Sequence, residues 1–212
     1  MSRRATAAPV YDPATAVAHL RSVEPRFAPL IERHGLPALT PARDPFVSLG
    51  RAIIYQQLAG AAAAAIHKKF VGLFGRFPRP AVLAASSVEH LRQAGVSKPK
   101  ALALLDLAAH FADGRVKPRA LLAGSDDEIA AMLLPIRGIG PWSVDMFKMF
   151  GLCRPDVWPV GDFGVKLGLR QFLRLRAMPD RARMEKAAAA WRPRRSVAAW
   201  YMWRVVEDGR QA

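Results

Sequence analysis

Asp162 stands in "WPVGDFGVKLGL", where a proline-containing irregular stretch gives way to helical spacing. An aspartate at that point caps a helix by accepting an amide hydrogen. As an anion it can also steady developing positive charge or take a proton from water. Twenty-two residues before it, "LPIRGIGPW" sets Gly138 and Gly140 on either side of Ile139. Glycines admit positive φ and let another backbone or a ligand come close. Pro141 then opens a helix without an amide hydrogen of its own. Amides of the turn and of that helix's first turn are thereby expected to point outward together, with partial positive charge suited to phosphate. The same letters also fit an ordinary helix–helix corner closed by a glycine. A turn that grips a phosphodiester gives the acid one helix later a second use, because it can then lie near the sugar of a neighbouring nucleotide.

The whole-chain charge agrees with such a partner. There are 32 Lys and Arg against 17 Asp and Glu, a formal net charge of +15, which points to a polyanion, nucleic acid or an acidic membrane. Cys153 is the one cysteine, so no disulfide and no four-cysteine zinc or iron–sulfur site forms within the chain. It reads as a small buried apolar group. The first twenty residues carry charge but no apolar core, and no apolar run reaches membrane-spanning length. A cytoplasmic protein, with no membrane role, is expected.

The elements that must position these groups are helical. The 212 residues are 51% apolar and poor in β-branched runs, which favours helices over strands. After a loose arm over residues 1–12, Asp12-Pro13 and Asp44-Pro45 each read as an N-cap followed by a first-turn proline. "EPRFAPLIERHG" reads as a short helix ending at Gly35. Phe46, Leu49, Ile53 and Ile54 recur at helical spacing, and the pattern loosens at Gln56, Gln57 and Leu58. "AVLAASSVEHLRQAG" and "ALALLDLAAHFADG" read as one helix each, joined by a turn holding Lys98 and Lys100. Ser125 and Glu128 form a capping box. The C-terminal "RSVAAWYMWRVVED" has two apolar stripes, one with Trp200 and one with Trp203. An amphipathic helix buries one stripe, so the second is core or a pocket wall. The fold expected is all-α, with about ten helices, no substantial sheet and two lobes flanking a cleft. Residues 46–152 would form one lobe, and 1–45 with 153–212 the other.

"AIIYQQLAGAAAAAI", "LRQAGVSKPKALALLDLA", "LPIRGIGPWSVDMF", "RPDVWPVGDFGV" and "WRPRRSVAAWYMWR", spread from about residue 46 to 204, together resemble the helix-hairpin-helix DNA glycosylases. Within them the chain looks like the compact form of the AlkA-type 3-methyladenine class. The resemblance implies a monofunctional enzyme that flips alkylated bases out of duplex DNA and hydrolyses the glycosidic bond, as a monomer and without a cofactor. It makes Asp162 the catalytic carboxylate. It puts Trp142 and Trp203 at the base pocket, Trp203 as stacking partner, with Phe163, Trp158 and Met146 as further candidates. DNA contacts fall to Gly138, Ile139, Gly140 and Trp142 of the hairpin, to Gln56, Gln57 and the wedge Leu58, and to Lys98 and Lys100. No catalytic metal is implied; carbonyls of the 136–141 hairpin could hold a structural monovalent cation. Bifunctional members carry a lysine nucleophile where this chain has Trp142, so no Schiff base and no strand cleavage are expected. The competing readings are a non-catalytic DNA-binding hairpin and an oxidised-base glycosylase with lyase activity.

Overall fold

Asp12 and Asp44 start the first and third helices. The Asp12 carboxylate accepts from the amide of Ala14, and that of Asp44 from Phe46 and Val47, each with proline in the first turn. The computed structural model describes residues 12–58 and 60–211; apart from Asp12, the expected N-terminal arm lies outside them. In chain order the helices are α1 (Pro13–Val23), α2 (Phe27–His34), α3 (Pro45–Tyr55), α4 (Gly60–Phe74), α5 (Pro80–Ala84), α6 (Val88–Arg92), α7 (Lys98–Ala112), α8 (Pro118–Ala123), α9 (Asp126–Leu133), α10 (Pro141–Met146), α11 (Phe163–Phe172), α12 (Arg181–Ala187) and α13 (Arg195–Gln211). A π-helical turn, Phe147–Gly151, continues α10, and a 3-10 turn, Ala189–Trp191, follows α12. Among the described residues there is no strand, and no helix is long and apolar enough to cross a membrane.

Three departures from the sequence reading have local causes. The stretch expected as one helix over 81–95 breaks in two because the Ser87 hydroxyl accepts from the amide of His90 and starts a new helix. A short helix, α8, begins at Pro118, where the proline sets the first-turn backbone angle. The helix after the hairpin widens into the π turn at Phe147, a form that recurs at functional sites.

Of the described residues, those between Ala42 and Phe147 form one compact unit, and those up to Pro41 with those from Lys148 onward form a second. The expected limits were 46 and 152, so the π turn divides between the units. In the first unit α7 runs through the core, burying Leu104, Leu107 and Ala108 with Phe46, Ile53 and Phe70. Its Lys100 ammonium donates to the carbonyls of Ile54 (2.8 Å) and Gln56 (2.7 Å), closing the C-terminus of α3. His67 of α4 lies between the rings of Tyr55 and Phe77, each 6.1 Å away, and its Nε2 is buried without a hydrogen-bond partner.

The second unit is built on an aromatic core of Phe27, Phe172, Trp191 and Tyr201. The Tyr201 hydroxyl donates to the Gly35 carbonyl at 2.7 Å, and burial pushes its pKa up to about 12. The start of α13 is tied down twice. Buried Arg195 grips Asp156 through Nε–Oδ1 (2.7 Å) and Nη2–Oδ2 (3.0 Å), a bidentate pairing that sets direction as well as distance. The Ser196 hydroxyl donates to Arg154 O and accepts from Val157 N. Farther along, α13 meets α11 at Gly168, where an added Cβ would lie 2.1 Å from Met202 O. Cys153 is buried, and burial raises its thiol pKa.

Gly168→Ala gains about 1 kcal/mol of helix propensity, but its methyl meets a backbone oxygen that cannot turn aside. The collision should dominate and lower unfolding stability by about 3 kcal/mol or more; an unchanged denaturation midpoint would contradict the close packing. For His67, burial and then the nearby Arg51 cation push the imidazole pKa below its usual 6.5. The unfolded chain therefore binds the proton more readily, so stability is retained above about pH 6.5 and lost as pH falls through the depressed folded value. Thermal melting should show a steeper decline from pH 7.5 to 5.5 in the parent protein than in His67→Phe.

Candidate active site

The hairpin between α9 and α10 departs from an all-outward row of amides. Gly138 takes φ +75°, and a Cβ there would come within 2.9 Å of the Ala103 side chain on α7. Glycine is thus needed for both backbone angle and contact. Ile139 turns inward: its side chain is buried, and its amide donates to Ile136 O at 3.1 Å. The expected DNA contact by Ile139 is corrected accordingly, because that amide closes the turn. Gly138 and Gly140 donate to no other backbone group among the described residues.

Three side chains brace the hairpin from below. Asp106 of α7 accepts from the Arg137 amide at 2.7 Å. The Gln56 amide nitrogen donates to Gly138 O and to Ser143 Oγ, both at 3.1 Å. Lys100 in turn holds the Gln56 carbonyl. Gln56 and Lys100, both expected to touch DNA, are therefore engaged within the first unit by the groups that were to make those contacts. Burial also holds the Lys100 pKa below its ordinary value. Gln57 and Leu58 differ from them. Gln57 has φ +54°, a left-handed conformation uncommon outside glycine, and Leu58 is 39% exposed. As for a cation in the hairpin, Ile136 O and Gly138 O already receive hydrogen bonds, leaving each one lone pair for such an ion.

In the second unit Asp162 caps α11, its Oδ1 accepting from Val165 N at 2.8 Å. The same oxygen accepts from the Trp203 indole N–H at 2.9 Å. The residue is 8% exposed. The helix cap and the indole N–H thus share one carboxylate oxygen, and the helix's N-terminal dipole steadies its negative charge. Gly164 makes room for this arrangement: a Cβ there would sit 2.7 Å from Trp203 Cδ1, 2.9 Å from its Nε1 and 3.1 Å from Asp162 Oδ1. Phe150, from the π turn, packs on Trp203 with centroids 5.7 Å apart and planes 31° apart. Phe150 is 42% exposed and Phe163 69%, so large rings face solvent close in space or sequence to the acid.

Trp158 is corrected. Its ring is buried edge-on against Trp191 at 5.4 Å and its indole donates to Met184 O, which makes it core of the second unit. Trp142, 41% exposed, and Met146 belong to α10 in the first unit. Gly164 and Phe150 were missed from sequence. A glycine two residues past a capping aspartate carries a weak signal, and a π turn has no sequence period by which to find it.

The family model for HhH-GPD superfamily base excision DNA repair proteins matches residues 51–193. This chain belongs to the HhH-GPD superfamily. It is 33% identical to DNA-3-methyladenine glycosylase 1 of Schizosaccharomyces pombe over 76% of this chain and 72% of that protein. It is 32% identical to the putative DNA-3-methyladenine glycosylase YfjP of Bacillus subtilis over 74% of this chain, spanning 57% of that relative's length. Among solved structures it is similar to S. pombe 3-methyladenine DNA glycosylase Mag1 in complex with abasic DNA, with TM-score 0.80 and 31% identity, covering 89% of this chain and 95% of that one. Within this HhH-GPD chain the matched span takes in both the braced hairpin and Asp162, and ends ten residues before Trp203.

Lys98 and Lys100 now separate experimentally. Lys98 is exposed at the start of α7, whereas Lys100 is engaged internally. Lys98→Ala should leave folding intact and flatten the salt dependence of duplex binding by about one unit of log Kd against log salt. Lys100→Met should leave that slope unchanged but lower stability by about 1–3 kcal/mol, because two carbonyls lose their donor. Anisotropy titrations at several salt concentrations, with thermal melts, check both; a slope change in Lys100→Met alone would reverse the assignment.

Proposed function

We propose that this chain is a monofunctional DNA glycosylase that removes alkylated bases of the 3-methyladenine type from duplex DNA and leaves an abasic site for base excision repair. The observation that carries the reading is the Asp162 carboxylate, held by an indole N–H and a helix amide beside exposed aromatic rings, in a chain of a base excision repair superfamily. The relatives named above as 3-methyladenine glycosylases support the choice of substrate.

A base within the duplex is out of reach, so its nucleotide turns out of the stack. Leu58 is suited to fill the gap as an apolar wedge, with Gln57 at its side. Gly138 and Gly140 amides grip the phosphate backbone. A base alkylated on a ring nitrogen is already cationic, and electron-rich faces such as those of Trp203 and Phe163 attract it. When the glycosidic bond breaks, its electron pair leaves with the base, which departs neutral, and the positive charge passes to the sugar. The Asp162 anion stabilises that charge. Water then bonds to C1′, and its proton goes to Asp162 or to solvent. No acid for the leaving group is required. Trp142, at the position where the resemblance expects a lyase's lysine, offers no amine, so the strand stays intact. The reading takes the protein to act as a monomer on cytoplasmic DNA.

Asp162→Asn tests it with the helix cap preserved, since asparagine caps as well as aspartate. With methylated duplex DNA the parent protein should release free 3-methyladenine and leave strands unbroken until alkali is added. The variant should release it about 10²–10³-fold more slowly. A protein–DNA adduct trapped by borohydride, or release unaffected by the substitution, would defeat the reading.

A further inference from the structure

The indole of Trp203 is engaged with the acid as well as offering its face. Its N–H donates to Asp162 Oδ1 at 2.9 Å, and the capping amide of Val165 reaches the same oxygen at 2.8 Å. Two donors converging on one oxygen leave the carboxylate a single orientation. Free rotation about its Cβ–Cγ bond would break both bonds together. The indole is fixed from other directions as well. Phe150 packs on its ring, and the start of α13, eight residues earlier, is locked by Arg195 on Asp156. Gly164 completes the arrangement, because any larger residue would drive a Cβ to 2.7 Å from Trp203 Cδ1 and 3.1 Å from the same Asp162 oxygen.

We propose that Trp203 and Gly164 are positioning residues for Asp162: the indole N–H fixes the carboxylate's orientation, and the missing side chain at 164 holds open the space in which that bond forms. The proposal rests on Asp162 being the group that stabilises the sugar cation. It assigns Trp203 a role separate from stacking on a flipped base, since stacking uses the ring face and positioning uses the ring nitrogen. The two roles part in Trp203→Phe, which keeps an aromatic face and loses the donor. A misoriented carboxylate weakens stabilisation of the transition state and leaves ground-state binding alone. Positioning therefore appears in the rate of bond cleavage, and stacking in affinity.

The experiment measures two quantities for the parent, Trp203→Phe, Trp203→Ala and Gly164→Ala. One is single-turnover release of 7-methylguanine from duplex DNA; the other is binding to a duplex carrying the 2′-fluoro analogue of that nucleotide, whose glycosidic bond resists cleavage. Trp203→Phe should release base about 10–100-fold more slowly with affinity within twofold of the parent. Trp203→Ala should lose both. Gly164→Ala should slow release, and should slow it less when added to Trp203→Phe, because the two changes act through one bond. A Trp203→Phe protein as fast as the parent, or one whose rate falls only in proportion to its affinity, would overturn the proposal. A readout independent of activity is the ¹⁵N-labelled indole spectrum of the five tryptophans. The Trp203 signal, assigned by its loss in Trp203→Phe, should shift in Asp162→Ala and in Gly164→Ala; a signal unmoved by both would show that the bond is absent. If the parent released no alkylated base, the functional reading would fall, while the indole spectrum would still decide whether the bond exists.

Discussion

The close approach of α11 to α13 is the constraint on which the second unit's bond between Trp203 and Asp162 rests. Gly164 and Gly168 stand one turn apart on α11, one facing the Trp203 indole and the other the Met202 backbone. With side chains at these two places the helices would stand farther apart, and a 2.9 Å hydrogen bond from an indole on one to the capping carboxylate of the other would not form. The glycines cost helix propensity, about 1 kcal/mol each. Helix formation here is secured instead by the Asp162 cap and by packing of Val165 and Leu169, both fully buried. Local instability is thereby exchanged for a fixed distance between acid and ring.

The hairpin of the first unit is positioned by different means. Polar side chains, more than packing, hold it in place. Asp106 receives the Arg137 amide, Gln56 reaches a hairpin carbonyl and Ser143, and Lys100 secures Gln56 through its carbonyl. Packing adds to them: Ile136 and Ile139 are buried, and Gly138 lies against Ala103. Bonds to its carbonyls and to the amides of Arg137 and Ile139 hold the turn, and leave the Gly138 and Gly140 amides outside the internal bonding.

A strongly basic composition makes every lysine and glutamine near a presumed nucleic-acid site look like a contact. Lys100 and Gln56 are engaged with groups of their own unit. From the first turn of α7, Lys100 supplies donors to the carbonyls of Ile54 and Gln56 at the end of α3, and Gln56 supplies one to the carbonyl of Gly138. Exposed Lys98, two residues away, carries its charge on the surface. Net charge therefore speaks to the kind of partner, while burial decides which cations are available to meet it.

Sequence alone determined the class of fold, the aspartate-and-proline helix starts, the capping box at Ser125 and the glycine turn, because each depends on residues within a few positions of one another. The resemblance carried by the hairpin and by "PVGDFGVKLGL" added the family. Tertiary structure decided what those motifs touch. It placed Trp158 in the core and Trp203 on the acid, turned Ile139 inward, engaged Lys100 and Gln56 as braces, and brought Phe150 onto Trp203 through a π turn. Apart from the Ile139 turn, the residues of each such pairing lie tens of positions apart. Their meeting depends on how closely helices can pack, a property of side-chain volume at the contact that no local pattern encodes.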